Sequence, residues 1–181
     1  MRQRSSTTSA LAHQTDGAAV PSRSPRASCV SVILPVHNGA AWIDGCLEAL
    51  LQQTVLTTPS PTVHLELSAF DDGSSDGSWD LLVSWRPRLE AAGVSVALGR
   101  SGASSGGGCG FAKNRAVAQS SGAWLCFHDV DDVSMPSRIE AQLAAAAARP
   151  GCLVGARVLR TPAGSTERYV RSCSTVVVRR I

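Results

Sequence analysis

A chain of 181 residues with 44% hydrophobic content has the length of one domain and enough apolar material to fill a core, a composition that excludes a wholly disordered protein. The formal charge of +3 resides in the first 28 residues, where Arg2, Arg4, Arg23 and Arg26 face Asp16 alone, so the remaining chain is formally neutral and gives little support for a dedicated nucleic-acid face. No stretch approaches the roughly 18 to 20 consecutive apolar residues of a membrane span, and the N-terminal segment lacks the apolar middle of a secretory signal.

In chain order, residues 1–27 are rich in Ser, Thr and Arg and poor in acids. They read as a disordered extension, with a mitochondrial transit peptide as the alternative; the expected location is accordingly the cytoplasm, or else the mitochondrion. Residues 28–34 are β-branched and apolar enough for a buried strand that Pro35 ends. Trp42, Ile43, Cys46, Leu47, Leu50 and Leu51 then fall at helical spacing, closed by Gln52-Gln53-Thr54. After a loop over 57–62, Val63 to Phe70 reads as a second strand, followed by a helix from about Ser75 to Ala92 in which Pro87 predicts a kink or break. Val94 to Leu98 is a short third strand, and a glycine-rich stretch runs from Gly99 to Gly110. A helix over 111–121, a strand over 123–127, an alanine-rich helix over 137–149 and a fifth strand over 152–159 complete the pattern. Strands alternating with helices imply right-handed crossovers and a mostly parallel sheet with helices on both faces. Six cysteines show no CxxC pair and no zinc-finger spacing; Cys29, Cys126 and Cys152 lie in apolar runs and read as small buried hydrophobes in a reducing compartment.

The strand ends carry the chemistry. The first strand runs into Pro35-Val36-His37-Asn38, the second into Asp71-Asp72-Gly73-Ser74-Ser75-Asp76-Gly77, and the fourth into His128-Asp129-Val130-Asp131-Asp132. In a parallel sheet all three reach one edge, where an open α/β sheet binds its ligand. Three acids in four residues repel one another unless a cation or hydrogen-bond donors compensate, which makes Asp129 and Asp131 candidates for a divalent-metal site. Each segment also has a plainer reading. Asp132 or Ser134 would cap a helix starting near Met135-Pro136, and Asp71-Asp72-Gly73-Ser74 makes a good turn with Asp76 placed for a helix dipole.

With residues 30–38, 71–77, 112–115 and 127–132 in this order and spacing, the chain resembles the inverting family 2 glycosyltransferases, whose fold is the Rossmann-like nucleotide-diphospho-sugar transferase, or GT-A, fold. The match covers roughly 28–170, leaving 171–181 as a divergent tail. Residues 110–122 and Ser165-Thr166-Glu167-Arg168-Tyr169 look closer to one branch, the β-1,3-N-acetylglucosaminyltransferase-like proteins assigned as queuosine-tRNA galactosyltransferases. The resemblance implies a UDP-sugar donor, Mn²⁺ or Mg²⁺ as cofactor, and transfer of a hexose or N-acetylhexosamine to an acceptor such as queuosine-tRNA. It implies that Asp72 bonds the uracil, that Pro35, Val36, His37 and Asn38 form the base pocket, and that Lys113 lies near the phosphates. Asp129 would face the ribose and sugar, and Asp131 would hold the metal.

Two departures qualify these expectations. His128 stands where the family generally has an apolar residue, and reads as a tolerated strand-end histidine rather than a ligand. The further carboxylate that serves the family as general base has no counterpart in this sequence, so the catalytic base is unassigned. Loss of a general base slows such a transfer by about 10² to 10⁴-fold, which leaves a nucleotide-sugar-binding module as the alternative function. Residues 176–178 would then form an unpaired strand edge. Two other α/β readings fail. A dinucleotide fingerprint beginning at Gly106 and Gly108 is broken by Phe111, leaving 104–108 as a flexible loop, and a phosphatase motif at Asp129, Asp131 and Val133 lacks any downstream lysine.

Overall fold

The computed structural model describes residues 26–57, 63–102, 106–157 and 177–179. Its elements are β1 (Arg26–Val36), α1 (Ala40–Leu51), α2 (Thr54–Thr57), β2 (His64–Asp71), α3 (Ser78–Ala91), β3 (Val94–Arg100), α4 (Cys109–Gln119), β4 (Gly122–Phe127), α5 (Arg138–Ala148) and β5 (Val177–Arg179). The sheet order is β3-β2-β1-β4-β5, with the first four strands parallel and β5 antiparallel to β4.

Period-two alternation distributes the central strands between two hydrophobic layers. Val30, Val32, Leu34 and Val36 of β1, with Leu65, Leu67 and Ala69 of β2, pack with Ile43, Leu47 and Leu50 of α1 and Leu82, Trp85 and Leu89 of α3. Ile33 of β1, Phe70 of β2 and Leu125 of β4 join Ala112 and Ala116 of α4 in the other layer. Ser31 lies in this second register and helps close a buried polar knot at the amino end of the sheet. The Glu66 carboxylate accepts hydrogen bonds from the Ser31 hydroxyl, from Ser121 N–H at 2.7 Å and from the Ser121 hydroxyl at 2.8 Å. Three donors take the place of water around a buried acid.

Several boundaries differ from the pattern in the sequence. β1 starts at Arg26, two residues inside the expected extension; residues 1–25 lie outside the described residues. It also continues through Pro35, which is in register with Phe70. Alternate residues of a parallel strand direct their backbone groups to opposite neighbours, and Ile33 accepts His128 N–H from the β4 side, so Pro35 faces that side too. Pairing with β4 stops at Ile33, and a missing N–H costs nothing there. Pro87 is accommodated inside a continuous α3, because Val83, four residues earlier, is on the exposed face and its carbonyl can turn to water. The expected fifth strand is not present over 152–157, which carry only an isolated bridge at Val154, and its last two residues lie outside the described residues. Gly151 with φ 83° turns the chain, and Leu153 and Cys152 are exposed rather than buried. Val177–Arg179 fills the sheet position instead, so residues 177–178 are paired to β4 rather than unpaired. Cys29, Cys46 and Cys126 are buried; burial, followed by the charge of Asp132, pushes the Cys46 thiol up to about 12. Among the described residues no helix is long and apolar enough to cross a membrane.

One side chain ties the starts of two helices together. Asp76 accepts from Ser78 N–H at 3.0 Å at the head of α3 and from Ala40 N–H at 2.9 Å at the head of α1. Its slight burial raises the carboxyl pKa, but the hydrogen bonds from Ser78 and Ala40 outweigh it and hold the group below its ordinary 3.8. Asp76→Ala should cost about 1 kcal/mol in urea unfolding at pH 7, at the modest end for a screened surface cap. A lowered folded-state pKa stabilises above 3.8 and ceases to do so as the pH falls through the folded value, so wild type and variant should converge in acid.

Candidate nucleotide-sugar site

Three strand ends meet at one edge of the sheet, and the order of connection reverses between β1 and β4, the crevice at which open α/β sheets bind ligands. A cavity of about 580 Å³ occupies it. Pro35, Val36 and His37 from β1 form one wall, Asp72 from the end of β2 another, and Asp129, Val130 and Asp131 beyond β4 a third. The fourth wall is Gly106, Gly108, Cys109 and Ala112, the approach to α4 and its first turn. The sequence-predicted residues Pro35, Val36, His37, Asp72, Asp129 and Asp131 are therefore brought together, whereas Asn38 and Lys113 do not line the cavity.

The two readings of Asp71-Asp72 are divided between the two residues. Asp71 is fully buried and makes the turn: Oδ1 accepts from Ser74 N–H at 3.1 Å and from the Ser74 hydroxyl, while Oδ2 pairs with Arg100 Nε at 3.1 Å. Asp72 faces the cavity. Its Oδ2 accepts from Gly108 N–H at 2.8 Å, which draws residues 106–108 over the site. Only glycine passes there, since a Cβ on Gly106 would lie 2.9 Å from Asp72 Oδ2 and Gly108 has φ 87°. The stretch expected to be a flexible loop is thus a fitted wall over 106–108; 103–105 lie outside the described residues.

His37 is oriented from both ring nitrogens. Nδ1 donates to the Asp72 carbonyl at 2.9 Å, which leaves Nε2 to accept from Asn38 Nδ2 at 3.3 Å. Asn38, in the left-handed region at φ 50°, accepts from Ser75 N–H at 2.9 Å and donates its own N–H to Ser74 Oγ at 2.9 Å, so it links the ends of β1 and β2.

Beyond β4, Asp129 Oδ1 is 2.8 Å from Lys113 Nζ, an ion pair with the sole lysine of the sequence. Partial burial lowers the Lys113 pKa, but the bond and charge of Asp129 prevail, and the ammonium lies above its ordinary value. Asp131 is exposed on the same wall. Among the described residues no cluster of three or more His, Cys, Asp or Glu side chains is arranged to hold a metal. Two carboxylates at one cavity wall are still hard oxygen donors that fit Mg²⁺ or Mn²⁺, provided the remaining ligands come from water or a bound phosphate.

His128 does not line the cavity. It is buried, and Nδ1 lies 2.8 Å from Arg138 Nη1; a guanidinium only donates, so a neutral ring carries its proton on Nε2. Burial, then the charge of Arg138, lowers the His128 pKa to about 4 against the opposing effect of Asp129. Neither Asp132 nor Ser134 caps α5, which begins at Arg138 after Ser137 and has no side-chain cap. Sequence reasoning also missed Gly108, Cys109 and Ala112 as lining residues and Arg138 as a partner of the acidic loop. For the first group a signal existed, three consecutive glycines ahead of a helix; Arg138 had none.

Comparisons with known proteins bear on the fold and the family. Glycosyltransferase AglE of Haloferax volcanii is 32% identical over 143 residues, which is 77% of this chain and 43% of that protein. Poly(ribitol-phosphate) beta-glucosyltransferase of Bacillus spizizenii is 32% identical over 103 residues, 57% of this chain and 15% of that protein. The chain thus spans less than half the length of either relative. Among solved structures, S. aureus TarS superposes with a TM-score of 0.62 at 18% identity over 83% of this chain and 28% of that one. Mannosyltransferase PcManGT from Pyrobaculum calidifontis, in complex with GDP-Man and Mn²⁺, superposes with a TM-score of 0.54 at 25% identity over 78% of this chain and 37% of that one. The fold is the Rossmann-like GT-A fold, with three of its strand ends around one cavity. Since residues 31–174, most of the sequence, match the model for glycosyl transferase family 2, this chain belongs to that family.

Proposed function

We propose that the cavity binds a UDP-sugar and that the chain is the donor side of an inverting glycosyltransferase acting on a hexose or N-acetylhexosamine. The observation that carries this is a cavity walled by Asp72 on one side and by Asp129 and Asp131 on the other. In this reading Asp72 accepts from the uracil, the Pro35 to His37 backbone lines the base, and Asn38 holds His37 in place. Lys113 leaves Asp129 to meet the diphosphate, and the first turn of the eleven-residue α4 opens on the same space with its positive end. Asp129 then faces ribose and sugar, while Asp131, with Asp129, holds Mn²⁺ or Mg²⁺. A bound divalent cation supplies charge neutralisation for the departing diphosphate.

Queuosine-tRNA is the proposed acceptor, supported by the closer resemblance of residues 110–122 to that branch. In this reading all three cavity carboxylates have donor-side roles, which leaves the base for the acceptor hydroxyl unassigned. With the base unassigned, a nucleotide-sugar-binding module without turnover is the alternative reading. UDP titrated calorimetrically with and without Mn²⁺ tests the donor site. Binding should strengthen with the metal, and Asp131→Ala should abolish the dependence; metal-independent binding, or none, would refute the assignment. Product formation from UDP-galactose or UDP-N-acetylglucosamine separates enzyme from module.

A further inference from the structure

The acidic loop is exposed and like-charged, yet both its ends are fixed. At the far end Gln53, fully buried between α1 and α2, donates from Nε2 to the Met135 carbonyl at 2.9 Å and accepts from Ile139 N–H at 3.2 Å. Thr54 N–H adds a bond to the Pro136 carbonyl at 2.9 Å. The loop's second anchor is one side chain. Arg138 Nη2 donates to the Phe127 carbonyl at 2.7 Å, the last residue of β4, and Nη1 reaches both His128 Nδ1 and Ser134 Oγ at 2.8 Å. These three bonds bracket Asp129 and Asp131, whose turn is closed by Asp132 N–H to the Asp129 carbonyl at 3.1 Å. The guanidinium charge also acts on the same neighbourhood as the acids, since Cys46 responds to Arg138, Asp131 and Asp132 together.

We infer that Arg138 is a positioning residue that joins the strand end to the head of α5 and so fixes the backbone that carries the Asp129 and Asp131 carboxylates at the cavity wall. The inference rests on the reading of this cavity as a nucleotide and metal site. A rigid fork with several donors is needed, because one point donor cannot span a carbonyl, an imidazole and a hydroxyl. Residues that orient ligands in this way typically change metal affinity by about 10- to 100-fold when removed.

The test is Mn²⁺ titration of the 181-residue chain in saturating UDP, followed by the paramagnetic resonance of free Mn²⁺, beside UDP binding in chelator and a thermal melt. Arg138→Gln should weaken Mn²⁺ binding at least about tenfold while UDP binding in chelator stays within about twofold, and Arg138→Lys should recover part of the loss. Ser134→Ala, which removes one bond of the three and opens no buried hole, should weaken Mn²⁺ in the same direction, and it decides the matter if Arg138→Gln does not fold. Unchanged Mn²⁺ affinity in these variants, or equal loss of Mn²⁺ and of metal-free UDP binding, would overturn the positioning role alone. Absence of UDP-dependent Mn²⁺ binding in the wild type would overturn the cavity reading and this inference with it.

Discussion

Asp72→Asn is expected to reduce UDP affinity by roughly 10- to 100-fold while leaving the melting temperature nearly unchanged, because a hydrogen bond to a charged group contributes about 1.5 to 3 kcal/mol. The asparagine amide oxygen can still accept from Gly108 N–H, the 2.8 Å bond that holds the glycine wall in place. What asparagine lacks is the second acceptor oxygen and the charge, so an imide N–H of the base loses its partner. Asp72→Ala removes both functions and should release residues 106–108 as well, lowering affinity further together with stability. Calorimetric titration of UDP into both variants, beside thermal melts, separates the two contributions. Equal affinity of wild type and Asp72→Asn would remove Asp72 from the binding site and leave it a loop anchor.

His128 should make the metal-free protein lose stability steeply in mild acid. The folded ring has its pKa lowered from 6.5 to about 4 by burial and by Arg138, despite the opposing charge of Asp129. Between those pH values the unfolded chain binds a proton that the folded chain does not. Folding stability from this group is therefore complete above pH 6.5 and falls progressively as the pH drops toward 4, by on the order of 3 kcal/mol in total. Urea midpoints in chelator at pH 7 and pH 4.5 should show most of that loss for wild type. His128→Gln keeps an acceptor for Arg138 but cannot protonate, so its profile should be flatter by that amount. Parallel profiles would mean that the imidazole is hydrated in solution rather than buried.

Where both faces of a strand are buried, the sequence is explicit: residues 30–36 are apolar or small because Val32 and Ile33 enter different cores. Three of the four motif segments, each placed at a strand end, were legible because a parallel sheet leaves few ways to arrange its carboxyl edge. Residues 152–157 show the opposite case. Their apolar text suits a strand, but strand formation requires a free sheet edge in register, and Val177–Arg179 holds the edge beside β4. Cys152 was misread with them and is exposed.

The sequence by itself determined the alternation of strands and helices and the residue types at the strand ends, because both follow from local periodicity and backbone chemistry. Only the tertiary structure decided that Asp71 serves the turn while Asp72 serves the cavity, that Gly106 to Gly108 form a wall, and that Lys113 pairs with Asp129. It also decided that Arg138 and Gln53 hold the acidic loop. Such pairings join groups many residues apart, or choose between adjacent identical residues by which way each side chain faces, and neither is encoded in spacing along the chain.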